Sequence, residues 1–425
     1  MLSYNKANEL IEQTKENKIY FGLERMRVLL DKLGNPHEKT RSIHLAGTNG
    51  KGSTLTYLRS ILNEAGYRVG TFTSPYIFQR NDQIQLDGKP ISQKEFVHLV
   101  EQILPVIEEL ERSDYGAPVE FEVMTALAFL YFAQQENIDF MIIETGLGGR
   151  LDPTNVLTPL VAIITNIGLD HIEFLGSDLL QIANEKAGII KPSIPIVSGC
   201  TQQEVTSLLQ KKAAAQQSSL HQLGSQFKIN HSNRTFTYKS EQHTYTDLQL
   251  TMLGSHQQTN ASLAVRTIEL LKAFHDVNVQ QEAVRAGLQQ ATIKNRIEVV
   301  QTEPMIIMDG GHNQEGVQAL VDTLLNSFPN KKFTVLFSAM VDKDVKEMVK
   351  SLQQLTDTII LTTFPHPRSI QRGDIVSVLD DQTLQFKEDY KTAYHQLKGD
   401  LQEDEVLVIT GSLNFLSFVR EKVEE

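Results

Sequence analysis

The sequence predicts an α/β fold in two domains, at about 1–295 and 298–425, each built on a mostly parallel sheet. Two observations carry this. Short β-rich runs alternate with longer amphipathic stretches, and the alternation pauses and restarts once, near Lys294–Glu298. Strands separated by helical patterns must run parallel, with crossover helices covering both faces of the sheet. At 425 residues the chain is long enough for two such cores.

In the first domain Ser42–Ala46, Arg68–Thr73, Asp139–Glu144 and Leu160–Asn166 read as strands. Ser53–Ala65, Lys94–Glu111, Val119–Gln135 and Thr201–His221 read as helices, and Phe227–Leu253 alternates like a small antiparallel insertion. In the second domain Met305–Asp309, Phe333–Ser338, Thr358–Thr363 and Val406–Thr410 are the candidate strands. The helices there are Gln314–Phe328, Asp344–Gln354 and Ser412–Lys422.

Composition narrows the class. Hydrophobic residues at 40% and charged residues at 22% are the balance of an ordinary folded protein. Lys plus Arg is 40 against 52 Asp plus Glu, a net charge of −12, which argues against nucleic-acid binding. Any anionic substrate must therefore meet a concentrated positive spot. The single cysteine, Cys200, excludes an intramolecular disulfide and a cysteine metal cluster. The start, residues 1–18, is polar and amphipathic, unlike a signal peptide, and no apolar run approaches the ~20 residues that span a bilayer. A cytoplasmic protein without membrane contact is expected.

The positive spot is visible in R-S-I-H-L-A-G-T-N-G-K-G-S-T. A β-branched strand runs through a glycine-rich turn straight into a helix, the context that a phosphate-binding loop requires. Gly47, Gly50 and Gly52 allow the backbone to turn its N–H groups inward, with Thr48 and Asn49 between them. The helix start adds its positive end. Lys51 supplies a charge for the β/γ-phosphates of ATP, and the Ser53 hydroxyl can reach Mg2+. Gly52 between lysine and serine departs from the common G-x-x-x-x-G-K-[ST] spacing. The alternative is a glycine-rich turn with a surface lysine.

Phosphoryl transfer needs oxygen ligands for a metal near that loop. Glu144 ends a buried apolar run, where it either faces the nucleotide or is merely solvated. Ser74, before Pro75, either meets metal or caps a turn. Asp170-His171 closes the run L-V-A-I-I-T-N-I-G, and a lone histidine there is ligand or structure. Lys186 lies in a helical stretch, where the bland reading is a solvated ion pair.

The loop A-G-T-N-G-K-G-S resembles the ATP loop of the Mur ligase superfamily, in particular its folylpolyglutamate and dihydrofolate synthases. Further marks of that family follow in order: Thr73-Ser74-Pro75-Tyr76, Glu144 to Asp152, Gly168-Leu169-Asp170-His171, Glu185 to Lys191, Asp309-Gly310-Gly311-His312-Asn313 and Gly411-Ser412-Leu413. The resemblance implies a P-loop ATPase domain plus a smaller Rossmann-like C-terminal domain. It implies that ATP phosphorylates the γ-carboxylate of a folate and that L-glutamate then attacks the acyl phosphate, in a cleft between the domains. It makes Ser74, Glu144 and His171 magnesium ligands and Lys186 a ligand of a second magnesium once carbamylated. Arg296 and Asp309 become nucleotide contacts from the second domain, and His312 lies near the second metal or the incoming amino acid. Asn260 matches an adenine-side asparagine, its alternative being a helix N-cap. Phe121 and Asp152 match the pterin side.

Three positions depart from the family pattern. Asn295 replaces a glycine beside Arg296, Gln314 replaces a proline, and Gln83 stands where bifunctional members place an arginine. The last predicts folylpolyglutamate synthase activity with weak or no dihydrofolate synthase activity, unless Arg80 substitutes. The rival readings are a bifunctional enzyme, a ligase acting on a cell-wall nucleotide precursor, and an ATP-hydrolysing switch. The set Arg296, Asp309 and His312 argues against the switch. A monomer is expected.

Overall fold

The computed structural model describes residues 2–14, 22–76, 78–232, 235–375 and 384–423. The chain forms two compact units, Met1–Leu250 with Gln258–Ala291, and Thr251–Gln257 with Thr292–Glu425. The segment Thr251–Gln257, counted with the first domain on sequence, packs with the second. The amphipathic start forms a helix, Tyr4–Gln13, capped by Ser3 and burying Ala7 and Ile11. Residues 15–18 of that stretch lie outside the described residues.

The first unit contains β1 (Ser42–Ala46), β2 (Val69–Phe72), β3 (Ile84–Leu86), β4 (Lys89–Pro90), β5 (Phe140–Glu144), β6 (Val161–Ile164), β7 (Ile196–Ser198) and β8 (Leu220–Gln222). They form one sheet in the order β4-β3-β2-β5-β1-β6-β7-β8. It is parallel from β2 to β8, with β3 and β4 antiparallel at one edge. Every residue of β1, β5 and β6 is buried, the pattern of strands covered on both faces. The chain leaves β1 for β2 on one side and crosses from β5 to β6 on the other. The loops after β1, β5 and β6 therefore gather at one carboxyl end, where open α/β sheets bind ligands.

The helix Gln93–Glu111 begins in a capping box, Ser92 with Glu95, and Glu120–Gln134 is apolar on nearly every side because it is packed all round. Two expectations need correction. The helix expected over Thr201–His221 ends at Ala215, because Leu220–Gln222 pairs with β7 as an edge strand. Asp170 and His171 do not close a strand: β6 ends at Ile164, and His171 precedes the short helix Ile172–Leu175.

The antiparallel insertion consists of β9 (Phe227–His231), β10 (Thr235–Ser240) and β11 (Thr244–Gln249). It is pinned to the helix Ser255–Phe274 through buried Glu269, which accepts from the Tyr238 and Ser240 hydroxyls at 2.7 and 2.8 Å and from Arg266 at 2.6 Å.

The second unit holds β12 (Glu298–Thr302), β13 (Met305–Asp309), β14 (Lys332–Phe337), β15 (Ile359–Thr362), β16 (Leu384–Lys387) and β17 (Glu405–Thr410). Their order is β12-β13-β17-β14-β15-β16, parallel except for β12. The edge strands β12 and β16, and the helix Tyr390–Asp400, were not expected from sequence.

Candidate active site

The phosphate-loop sequence forms the turn between β1 and the helix Lys51–Glu64, with Gly50 at its N-cap in a left-handed conformation (φ 83°). A side chain at Gly47 could not be accommodated, since a Cβ there would lie 1.8 Å from the Thr165 hydroxyl. The residues after β6 brace the loop. Thr48 N donates to Asn166 O at 3.1 Å, Asn49 N to Asn166 Oδ1 at 2.7 Å, and the Thr165 hydroxyl to Asn49 O at 2.6 Å. The Thr48 hydroxyl donates to Gly168 O at 3.1 Å. Thr165 and Asn166 were not singled out on sequence, although a polar pair directly after an apolar strand marks such a support.

Lys51 curls over the loop, its Nζ donating to Gly47 O at 2.9 Å and lying 3.9 Å from the Glu144 carboxylate. Glu144 is fixed there by register: Leu45 pairs with Glu144 across β1 and β5, and Thr145 N donates to Leu45 O at 2.9 Å. It is buried, so the solvated reading is excluded. Ser53 lies buried in the first turn of the helix. Asn260 is no N-cap: it sits inside the helix Ser255–Phe274, its amide so close that a Cβ on Gly50 would be 2.4 Å from Oδ1.

Lys186, the last residue of the helix Leu179–Lys186, is buried, and its Nζ also donates to Gly47 O, at 2.9 Å. Two lysine amino groups thus converge on one carbonyl. Burial, then the charge of Lys51, lowers the Lys186 pKa to about 7 against opposing pulls from Asp170 and Asp152. The solvated-lysine reading is therefore overturned. His171 is half-exposed in a left-handed conformation (φ 50°), its ring 4.0 Å from Asp170. Ser74 is half-buried in the loop after β2. Among the described residues, no group of three or more His, Cys, Asp or Glu side chains is assembled to hold a metal.

On the pterin side, the Phe121 ring stacks on Phe72 at 5.8 Å and stands against Gly146, where a Cβ would meet it at 2.5 Å. The buried Arg25–Glu122 ion pair (2.7 Å) anchors the helix start beside it. Asp152 turns inward. Its Oδ1 accepts from Thr154 N at 3.0 Å and from the Thr154 hydroxyl, and its Oδ2 from Leu147 N at 2.8 Å. The Thr154 hydroxyl in turn lies 2.8 Å from His44 Nε2 on β1. Since Thr154 gives its proton to Asp152, His44 must donate from Nε2. Burial drives its pKa to about 3, so it stays neutral. Burial pushes Asp152 up, while the donors around it pull it back. Neither His44 nor Thr154 was expected, because only the fold brings them together.

In the second unit Asp309 ends β13, buried, with Oδ1 accepting from Gly311 N at 2.8 Å and Oδ2 from Ile297 N at 3.0 Å. It joins the turn carrying Arg296 to the loop carrying His312. Burial raises its pKa, and Arg296 first among its neighbours opposes this. His312 Nδ1 lies 3.1 Å from Gly310 O. His256, which belongs to this unit through the segment Thr251–Gln257, is half-buried near Arg296. Burial and that charge lower its pKa to about 4. Nothing in the sequence around His256 signals this.

Gln83, the specificity position, is buried, and its carbonyl accepts from Thr73 N at 3.0 Å. Arg80 is also buried, bound to Glu12 and to Glu120 at 2.7 Å.

The Mur ligase middle domain family matches residues 45–268, and the Mur ligase, glutamate ligase domain family matches residues 295–413. Dihydrofolate synthase/folylpolyglutamate synthase of Bacillus subtilis (strain 168) is 41% identical over 427 residues, 99% of each chain. Folylpolyglutamate synthase of Mycobacterium tuberculosis, complexed with ADP, shares the fold with a TM-score of 0.92 at 29% identity, covering 99% of this chain and 98% of that one. FolC of Escherichia coli, in complex with DHPP and ADP, gives a TM-score of 0.89 at 26% identity over 100% and 98%. A likeness running the full length of both chains, with both domain families in order, makes this chain a member of the folylpolyglutamate synthase/dihydrofolate synthase family of Mur ligases.

Proposed function

We propose that the chain is an ATP-dependent ligase that joins L-glutamate to the γ-carboxylate of a folate, as a folylpolyglutamate synthase does. The observation that carries this is the loop Gly47–Ser53 at the carboxyl end of β1, with Lys51 held 3.9 Å from buried Glu144. That arrangement grips a polyphosphate and neutralises charge at its end. The γ-phosphoryl group passes to a folate carboxylate oxygen and ADP leaves. The glutamate amine attacks the acyl carbon, the tetrahedral intermediate expels phosphate, and the amine gives up a proton as the amide forms.

The chain's own part is positioning and charge compensation. Loop amides and Lys51 take the phosphates, and Arg296 adds a second cation. Asp309, with both oxygens on backbone amides, supports Arg296 and His312 rather than reaching outward. The Phe121 face beside Gly146 offers an apolar wall for the folate rings, and Asp152 shapes the loop beneath it. The donor set fits Mg2+, which in nucleotide sites takes one or two carboxylates, phosphate oxygens and water. Glu144 and Ser53 would hold it, with Ser74 and His171 as further ligands, and it would supply charge neutralisation. Lys186, buried with a depressed pKa, presents the neutral amine that carbamylation requires. A cytoplasmic monomer belongs to the same proposal, and gel filtration checks the oligomeric part.

A second reading, that dihydropteroate is also a substrate, is favoured by the name of the 41% identical relative. Against it, Gln83 is neutral and Arg80 is committed to two carboxylates. Mass spectrometry of products from tetrahydrofolate, dihydropteroate and glutamate with ATP tests both readings. ADP release that ignores folate and glutamate would overturn ligation altogether.

A further inference from the structure

Arg296 stands between two residues in the left-handed region, Asn295 at φ 60° and Ile297 at φ 45°. Asparagine tolerates this conformation, but a β-branched isoleucine there is an outlier that persists only when its surroundings enforce it. The enforcing contacts are all present. Asn295 N donates to Glu298 Oε2 at 2.7 Å, and Asn295 O accepts from Gly310 N at 2.8 Å. Ile297 N donates to Asp309 Oδ2 at 3.0 Å. The side chain of Asn295 accepts from Arg420 Nη2 at 2.6 Å, and Arg420 also pairs with Glu298, its Nη1 at 3.2 Å.

Arg420 comes from the last helix, Leu413–Val423, and is buried. One guanidinium therefore holds the two residues, 295 and 298, that bracket the Arg296 turn. A turn needed only to feed the chain into β12 would require neither left-handed isoleucine nor a buried arginine 125 positions beyond Asn295. The departure from the family's glycine at 295 fits as well. Asparagine keeps the left-handed backbone and adds an acceptor for Arg420, which glycine cannot supply.

We infer that Arg420, through Asn295 and Glu298, is a positioning residue that holds the Arg296 guanidinium in one orientation for the polyphosphate. The inference rests on the reading of Arg296 as a phosphate contact, and its test separates the two. Arg420→Met should lower kcat roughly tenfold or more, as small misplacements of a charge-compensating group do, with KM for folate essentially unchanged. In an Arg296→Ala background the same substitution should cost nothing further, because its route of action is gone. Equal losses in both backgrounds would make Arg420 merely structural and overturn the inference, as would full kcat in Arg420→Met alone. Full activity of Arg296→Ala would instead remove the phosphate-contact reading, and the positioning role with it. Should Arg420→Met not fold, Asn295→Gly keeps the backbone conformation and removes only the link to Arg420. It should show the same dependence on Arg296, and a loss independent of Arg296 refutes the role.

Discussion

Lys186 offers the sharpest test, since its environment sets how much neutral amine exists near neutral pH. An ordinary lysine with a pKa of 10.5 is unprotonated in about one molecule in three thousand at pH 7. With its pKa lowered to about 7, Lys186 is unprotonated in about half, a gain on the order of a thousandfold. Burial is the larger cause and the Lys51 ammonium the second, both groups meeting on Gly47 O at 2.9 Å. Incubating the protein with 13C-bicarbonate and following the carbamate carbon by NMR should show labelling that rises through about pH 7 and then levels. Lys51→Met, which removes the neighbouring charge, should move that midpoint upward; Lys186→Met should abolish the signal. The sign for stability follows from proton counting. Between about pH 7 and 10.5 the unfolded chain holds a proton on this lysine that the folded chain does not. Its contribution therefore improves as pH rises through that window, and its cost is fully present below it. Relative to Lys186→Met, the unmodified protein should lose thermal stability as pH falls from 10 toward 7. A midpoint that stays near that of a surface lysine would refute the reasoning.

The loop assignment predicts that Lys51→Ala folds, as circular dichroism should show, but ligates at less than about one-hundredth of the normal rate; near-normal turnover would sink it. Glu144→Gln keeps the shape and removes one charge, so its activity should require a several-fold higher Mg2+ concentration, and an unchanged titration would leave Glu144 without a metal role. Because Arg80 is held by Glu12 and Glu120, it cannot serve in place of the missing cation at Gln83. A charge-assisted contact is worth roughly 1.5–3 kcal/mol, so dihydropteroate turnover should trail tetrahydrofolate turnover by about ten- to a hundredfold. Comparable rates in a side-by-side assay would make the enzyme bifunctional.

Much of the architecture was legible because burial writes itself into composition. β1, β5, β6 and β17 are near-continuous apolar runs, and the loop after β1 carries its own glycines, lysine and serine. What stayed hidden depends on tertiary contacts. The polar run Ser255–Asn260 looks like a cap, yet it opens a 20-residue helix whose later turns are buried. Leu220–Gln222 is too short to signal a strand and exists as one because β7 offers an edge. His171 lies in the loop well past Ile164, the last residue of β6, and directly before a short helix, so chain proximity to a strand misplaced it. Roles such as those of His44 and Thr154 require partners 110 positions apart to meet.

That last pair has an evolutionary consequence. Donor directions run one way, from the imidazole to the hydroxyl to the carboxylate, so losing the hydroxyl strands the His44 N–H inside the protein, whereas losing the imidazole leaves Thr154 still donating to Asp152. Thr154→Ser preserves the line, whereas Thr154→Val interrupts it and orphans the His44 N–H, while Asp152 keeps its backbone donors, Thr154 N and Leu147 N. The order of change is therefore constrained: the histidine can be lost before the hydroxyl, but losing the hydroxyl first leaves a buried imidazole N–H without a partner.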